Sequence, residues 1–240
     1  MQPVKHLTLA AILAALALGG PASAQSGMPL TSPGTVYTMV PNSPDETAEQ
    51  RTANAEETVI IHFTGNVTYL SALQLVVMVQ EYFRRGYRKF VMPIQTGGGA
   101  VVSAMYAHET LSRMPIEFST VAIGNVDSSG VYLYCLGDKR YAAPGASFLF
   151  HPMRGMIDSN RRGQEAAERE VESLNTWSDG VIKGCFGEKP EEWDLERRDY
   201  RVTTEEASAV GLVNAGSDYF EDMGPLGEIS YVYPIFLARR

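Results

Sequence analysis

The chain has 240 residues, 45% hydrophobic and 20% charged, with 20 Lys+Arg against 28 Asp+Glu and a formal charge of −8. That composition excludes a disordered chain, which lacks the apolar residues to bury a core, and the acidic balance argues against nucleic-acid binding, which needs a basic face. Two cysteines build neither a disulfide framework nor a four-thiolate zinc site, and the length suits one domain of ordinary size.

Residues 1–24 read as a cleavable export signal. Lys5 and His6 form a polar start, and residues 7–18 an apolar run of 12. Gly19, Gly20 and Pro21 break that run, and Ala22-Ser23-Ala24 sets small residues before a cut at Ala24/Gln25. The run is short of the roughly 20 residues a bilayer span needs. No cysteine follows the cut, which argues against a lipid anchor. Residues 25–57 are rich in Ser, Pro, Thr, Asn and Glu and read as a flexible arm.

Periodic structure begins at Thr58. Residues 59–63 predict a strand, closed by Thr64-Gly65-Asn66. Residues 70–85 predict an amphipathic helix ended by Gly86. A strand over 90–94 runs into Gly97-Gly98-Gly99, and a helix over 101–114 stops before Pro115. A third strand, 117–123, precedes Gly124-Asn125-Val126-Asp127-Ser128-Ser129-Gly130, after which residues 131–136 open a helix. Short strands follow at 140–142 and 147–150. Residues 161–183 predict a long charged helix with Ala167, Val171, Leu174, Trp177 and Val181 as its apolar stripe. A last helix over 203–210 is capped by Thr203 or Thr204, and the apolar residues 229–237 suit an edge strand or a subunit contact. Strand alternating with helix gives βαβ units and a largely parallel sheet, whose ligand site lies beyond the carboxyl ends of the strands. The triple glycine and the serine pair both sit at such ends.

A serine hydrolase needs a nucleophile, a base, an acid to orient the base and donors for the oxyanion. Few histidines are available as the base. His62 lies inside the first strand and reads as a core or face residue. His108 lies mid-helix in His108-Glu109-Thr110-Leu111-Ser112, which lacks the second histidine of the H-E-x-x-H zinc motif. His151 sits at a strand end before Pro152, where catalysis and a structural role are evenly balanced. No G-x-S-x-G elbow, S-x-x-K or P-loop is present.

Six segments in order resemble the proteolytic subunit of the ATP-dependent Clp protease, of the Clp-protease/crotonase fold. They begin with Phe63-Thr64-Gly65-Asn66-Val67, similar to that family's first strand and turn. Gln95-Thr96-Gly97-Gly98-Gly99 resembles its glycine loop, and 124–130 its nucleophile turn. Phe150-His151-Pro152 resembles its histidine segment. Glu196-Arg197-Arg198-Asp199-Tyr200 and Ala209-Val210-Gly211-Leu212-Val213-Asn214 resemble its closing motifs. The spacings also fit: 29 residues from Gly99 to Ser128, 23 from Ser128 to His151 and 48 from His151 to Asp199.

The resemblance implies an α/β fold of repeated ββα/βαβ units, a largely parallel sheet and a protruding long helix. Together with the signal (1–24) and the arm (25–57), it leaves a catalytic domain (58–214) and a C-terminal extension (215–240). It implies a serine peptidase that cleaves peptides or unfolded polypeptide. Ser128 would be the nucleophile, His151 the general base and then acid, and Asp199 the group holding the imidazole tautomer. The backbone amides of Gly99 and Ser129 would form the oxyanion hole, aided by a helix start after Ser128. No cofactor and no metal is called for. A homo-oligomeric ring is implied, with the helix over 161–183 as the ring-to-ring handle. An exposed Leu174/Trp177 stripe suits that contact, and packing on its own sheet suits it equally.

The chain departs from the family pattern at Asp127, where a carboxylate beside the nucleophile would raise the pKa of His151 or repel an acidic substrate. Export removes both ATP and an unfoldase partner, so an ATP-independent periplasmic or secreted peptidase is expected. Cys135, in the helix behind Ser128, reads as a buried thiol, with pairing to Cys185 as the alternative in an oxidising compartment. Three other functions remain open: a crotonase-like enzyme, a Ser/Lys signal-peptide-peptidase-like enzyme using Lys139, and a non-catalytic secreted scaffold.

Overall fold

In a computed structural model, residues 47–152, 161–187, 199–216, 219 and 224–232 are described, the backbone alone over 161–167. The export signal and most of the arm lie outside these residues. The described residues belong to one compact unit, Thr38–Arg240.

The first element lies inside the stretch read as a flexible arm. Helix α1, Ala48–Asn54, starts at a capping box in which Thr47 and Gln50 satisfy each other's backbone amides. Asn54 Nδ2 then donates to the Arg85 carbonyl at 2.8 Å. Docking there requires Gly86, whose φ is +106° and whose Cβ, if present, would lie 2.6 Å from the Arg51 backbone. Gly86 thus ends helix α2 (Tyr69–Arg84) and seats α1 on that end.

The remaining elements follow the expected alternation. Strand β1 (Thr58–Thr64) leads to α2, which Thr68 and Ser71 cap reciprocally. Strand β2 (Lys89–Thr96) leads through the glycine loop to helix α3 (Val101–Leu111). Strand β3 (Glu117–Asp127) leads to helix α4 (Gly130–Tyr134). Strands β4 (Lys139–Ala142) and β5 (Ser147–Phe150) come next, then helix α5 (Arg161–Phe186). Strand β6 (Tyr200–Thr203) feeds helix α6 (Thr204–Ala209), capped by Thr203, and strand β7 (Leu226–Val232) closes the described chain.

The seven strands form one sheet in the order β6-β5-β3-β2-β1-β7, with β4 also paired to β3. All pairings are parallel except β5 with β6. This is the expected α/β architecture with a largely parallel sheet and one long helix. Residues 229–232 of the C-terminal apolar run lie in the edge strand β7, beside β1, and the rest of the run lies outside the described residues.

Strand β3 is four residues longer than its apolar pattern suggested. Its first part pairs with β4 through Ala122, and its last part pairs with β5 from Asn125. Between them the register with β2 shifts, from Ile94↔Ala122 to Thr96↔Val126. Such an irregularity bends the strand and re-aims its end. The polar residues at the end of β3 are therefore still sheet residues.

Ile61, Phe63, Leu75, Met92, Ile94, Leu133, Phe148 and Leu212 fill the core. Arg140 is buried among them and donates to the carbonyls of Gly137, Leu212, Gly211 and Cys185 at 2.8, 2.9, 3.0 and 2.6 Å. Burial lowers its pKa from the ordinary value. Its fork ties the closing segment 211–214 and the end of α5 to β4.

Cys135, the C-cap of α4, is joined to Cys185 of α5 by a disulfide with Cα atoms 5.5 Å apart. The thiol reading of Cys135 is thereby corrected: α5 returns across α4 and brings the two cysteines, 50 residues apart in sequence, into bonding range. Two further contacts fasten α5. Trp177 Nε1 donates to Glu109 Oε1 at 2.8 Å, and the Tyr132 and Ser178 hydroxyls lie 2.7 Å apart. The Trp177 ring packs edge-on against Tyr132 and His108. Trp177 therefore packs on its own domain, against α3 and α4.

Candidate active site

Three adjacent strand ends converge at one edge of the sheet. Asp127 of β3 pairs with Leu149 of β5, and Leu149 with Arg201 of β6. The last pair is Phe150↔Tyr200, so His151 leaves β5 and Asp199 enters β6 at the same end of the sheet. Ser128 continues β3 beside Phe150, and its amide donates to the Leu149 carbonyl at 2.7 Å. Ser128, His151 and Asp199 thus leave three neighbouring strands at the same end.

Ser128 is the one non-glycine residue with positive φ, +55°, among the described residues. A β-carbon in that conformation meets the following carbonyl and costs about 1–2 kcal/mol. The turn is held by its flanks: the Ser128 carbonyl accepts from the Val131 amide at 3.0 Å as α4 begins. Gly130 is required there, because a Cβ would collide with Thr96 Cγ2. The chain therefore turns sharply from strand to helix at a half-buried serine, an elbow reached without the G-x-S-x-G signature.

The glycine loop lies directly against this turn. A Cβ on Gly98 would sit 2.6 Å from both the Asp127 carbonyl oxygen and Ser128 Cβ, and 3.2 Å from Ser128 Oγ. A Cβ on Gly99 would run into the Val67 carbonyl. Segment 65–67 holds the loop from the other side: Val67 N–H donates to Gly98 O at 2.8 Å, and Ala100 N–H to Val67 O at 2.9 Å. The Gly98 amide is spent on Thr96 Oγ1 at 3.0 Å. Among the described residues, no acceptor takes the amides of Gly99 or Ser129. These are the two donors expected for the oxyanion hole. Helix α4 has only five residues, so its dipole adds little and the individual amides matter more.

His151 is half-buried, and its Nδ1 lies 2.8 Å from the carbonyl oxygen of Pro152. A carbonyl only accepts, so Nδ1 carries the hydrogen, and in the neutral ring the lone pair is then on Nε2. That is the tautomer a general base needs. Asp199 was expected to hold Nδ1, and here the Pro152 carbonyl does so. Asp199 is exposed, one residue before β6.

Among the described residues the other two histidines pack against aromatic rings, as their positions suggested. His62 stacks on Tyr231 at 4.8 Å between ring centroids, and burial lowers its pKa. His108 packs under Trp177, and burial lowers its pKa as well. Lys139 starts β4 opposite Ser119, nine residues before Ser128 on β3. At the rise of a strand those nine residues span roughly 30 Å, which sets Lys139 well away from the serine and argues against the Ser/Lys reading.

The site contains groups that the sequence did not suggest. Asp127 is not a loose carboxylate: Arg201 Nη1 and Nη2 donate to its two oxygens, each at 3.1 Å. Arg201 Nη1 also donates to Ser147 Oγ at 2.8 Å, and Ser147 Oγ donates to Asn125 Oδ1 at 3.1 Å. The polar residues Asn125 and Asp127, two apart, mark an outward strand face. Their partner on β6 needs the register to be found.

A model of the family described as Clp protease matches residues 45–216. The ATP-dependent Clp protease proteolytic subunit 2 of Corynebacterium jeikeium is 28% identical over 136 residues, 55% of this chain. The chain spans 65% of the length of that curated relative. A solved ClpP1 mutant from Listeria monocytogenes shares the fold with a TM-score of 0.57, over 76% of this chain and 96% of its own. Its identity is 19%.

Proposed function

This chain belongs to the Clp protease family, and on that premise we propose that it is a serine peptidase cleaving peptides or unfolded polypeptide segments. The observation that carries the reading is the strained Ser128 turn seated under the glycine loop, with His151 leaving the adjacent strand in its base tautomer.

The chemistry follows from those groups. Ser128 Oγ attacks the scissile carbonyl carbon while His151 Nε2 takes its proton. The oxygen gains negative charge and is received by the amides of Gly99 and Ser129. The imidazolium, held at Nδ1 by the Pro152 carbonyl, with Asp199 entering the neighbouring strand at the same end, gives its proton to the leaving amine. The C–N bond breaks and an acyl-serine ester remains. Water, deprotonated by His151, attacks the ester, and the proton returns to Ser128 as the ester bond breaks. The Arg201 fork pairs with Asp127, so that carboxylate does not face the substrate as an unpaired charge.

The setting we propose is periplasmic or secreted, and independent of ATP and of an unfoldase. The export-signal pattern of residues 1–24 and the Cys135–Cys185 disulfide both support an oxidising compartment. A homo-oligomer is proposed from the family, and the exposed Tyr69, Leu70, Val102 and Tyr106 suit a subunit contact. Protein lacking residues 1–24 is expected to hydrolyse short unstructured fluorogenic peptides without ATP. Activity seen only with ATP and an added unfoldase would refute ATP independence, and none under either condition would refute the peptidase.

A further inference from the structure

We infer that Arg201 is a positioning residue for the nucleophile, clamping the end of β3 to the start of β6 so that Ser128 and Asp199 keep fixed places on either side of His151. This rests on the serine peptidase reading above.

The clamp is a planar, bidentate fork, the most directional pairing a carboxylate makes. It reaches across β5: Asp127, Leu149 and Arg201 share one row of three strands. Asp127 is covalently next to Ser128, and Arg201 follows Asp199 by two residues. One ion pair therefore joins the flanks of the proposed nucleophile and the proposed acid, with the proposed base on the strand between. The hydroxyl of Ser147, on β5 itself, accepts from the same guanidinium and passes a bond to Asn125 of β3. All three strands are thus in one hydrogen-bonded row.

Stability alone is a poor reason for this arrangement. The Arg201 side chain is 45% exposed and that of Asp127 15%, so the pair is open to solvent on its arginine side and adds only modestly to folding. Their geometric value is larger, because β6 is a four-residue strand held only at the edge of the sheet by its antiparallel pairing with β5. The Ser128 turn is strained and relaxes if its flank is released. A shift of about 1 Å in a reacting group costs up to about 10²-fold in rate.

The test uses the chain without residues 1–24, with variants Arg201→Ala, Arg201→Lys, Asp127→Asn and Asp127→Ala/Arg201→Ala, and Ser128→Ala as control. Peptide hydrolysis, thermal midpoint and amide exchange over residues 125–131 are measured for each. We expect Arg201→Ala to lower kcat about tenfold or more, with KM and the midpoint nearly unchanged and exchange over 125–131 faster. Arg201→Lys keeps the charge but loses the fork, and is expected to resemble Arg201→Ala. The double variant is expected to be no slower than Arg201→Ala alone. Unchanged kcat and exchange in the Arg201 variants would overturn the inference. So would a loss of kcat that tracks a falling midpoint, or effects of Asp127 and Arg201 that multiply independently. If the parent protein shows no Ser128-dependent hydrolysis, the peptidase reading fails instead, and exchange over 125–131 still decides whether the clamp holds the turn.

Discussion

Ser128→Ala is expected to lower kcat for peptide hydrolysis by about 10⁴–10⁶-fold, the range seen when a nucleophile acting as one unit with its base is removed. The loss is in chemistry alone, so peptide binding to the variant is expected to persist. Alanine keeps a β-carbon and hence keeps the strain of the turn at φ +55°. Ser128→Gly is the sharper companion. Glycine accepts that conformation freely, so this variant is expected to be equally inactive yet more stable, by about 1 kcal/mol. Thermal or denaturant unfolding of the two variants measures the difference. A glycine variant less stable than the alanine variant would mean that the serine turn is not strained and that its geometry is not held for catalysis.

Gly98→Ala carries the second large effect. The added methyl meets Ser128 Cβ and the Asp127 carbonyl at 2.6 Å, and at φ +81° the backbone resists it as well. Something has to shift, and the choices are the glycine loop or the nucleophile turn. Either one displaces the Gly99 amide from Ser128, and loss of one oxyanion donor costs about 10²–10³-fold in rate. Gly145→Ala separates crowding from backbone strain. Gly145 also has positive φ, +82°, in the turn between β4 and β5, yet a Cβ there meets nothing within 4 Å. It is expected to cost stability of about 1 kcal/mol and to leave kcat unchanged. Equal loss of kcat in both variants would show that the Gly98 effect is only destabilisation, and the loop would have no role at the reacting oxygen.

Much of this fold is legible in the sequence, for identifiable reasons. Strands β1, β2 and β3 are runs of Val, Ile and Phe, and α2 carries a clear helical face. Their caps, Thr68 at the start of α2 and Gly86 past its end, are local signals that need no tertiary context. The parts that are not legible depend on distant partners. Tyr200-Arg201-Val202-Thr203 is four residues long, with only Val202 fully buried, and becomes a strand because β5 is there to pair with it. Helix α1 is polar and short, with none of its residues buried, and its place is set by Asn54 reaching the Arg85 carbonyl over Gly86. The Cys135–Cys185 pair spans 50 residues, and no local pattern encodes that distance.

The candidate site divides the same way. Ser128, His151, Gly99 and Ser129 stand in motifs whose order and spacing resemble the family, and the strand ends bring them to one side of the sheet. Asp199 enters β6 at the end of the sheet where His151 leaves β5. The role expected for it at Nδ1 is filled in this structure by the next carbonyl along, that of Pro152. Asp127 shows how a single residue misleads without its partner. Alone it reads as a threat to the site, and with Arg201 across the sheet it becomes one half of a clamp.

The central claim is that Ser128 is a nucleophile activated by His151. The most direct measurement is mass-spectrometric mapping of the adduct formed by a serine-reactive phosphonate on the folded protein lacking residues 1–24. A single adduct on Ser128 is predicted, formed at least about 10²-fold more slowly in His151→Ala, since a general base contributes typically 10²–10⁴-fold. No adduct on Ser128, or one whose rate is indifferent to His151, would contradict the account.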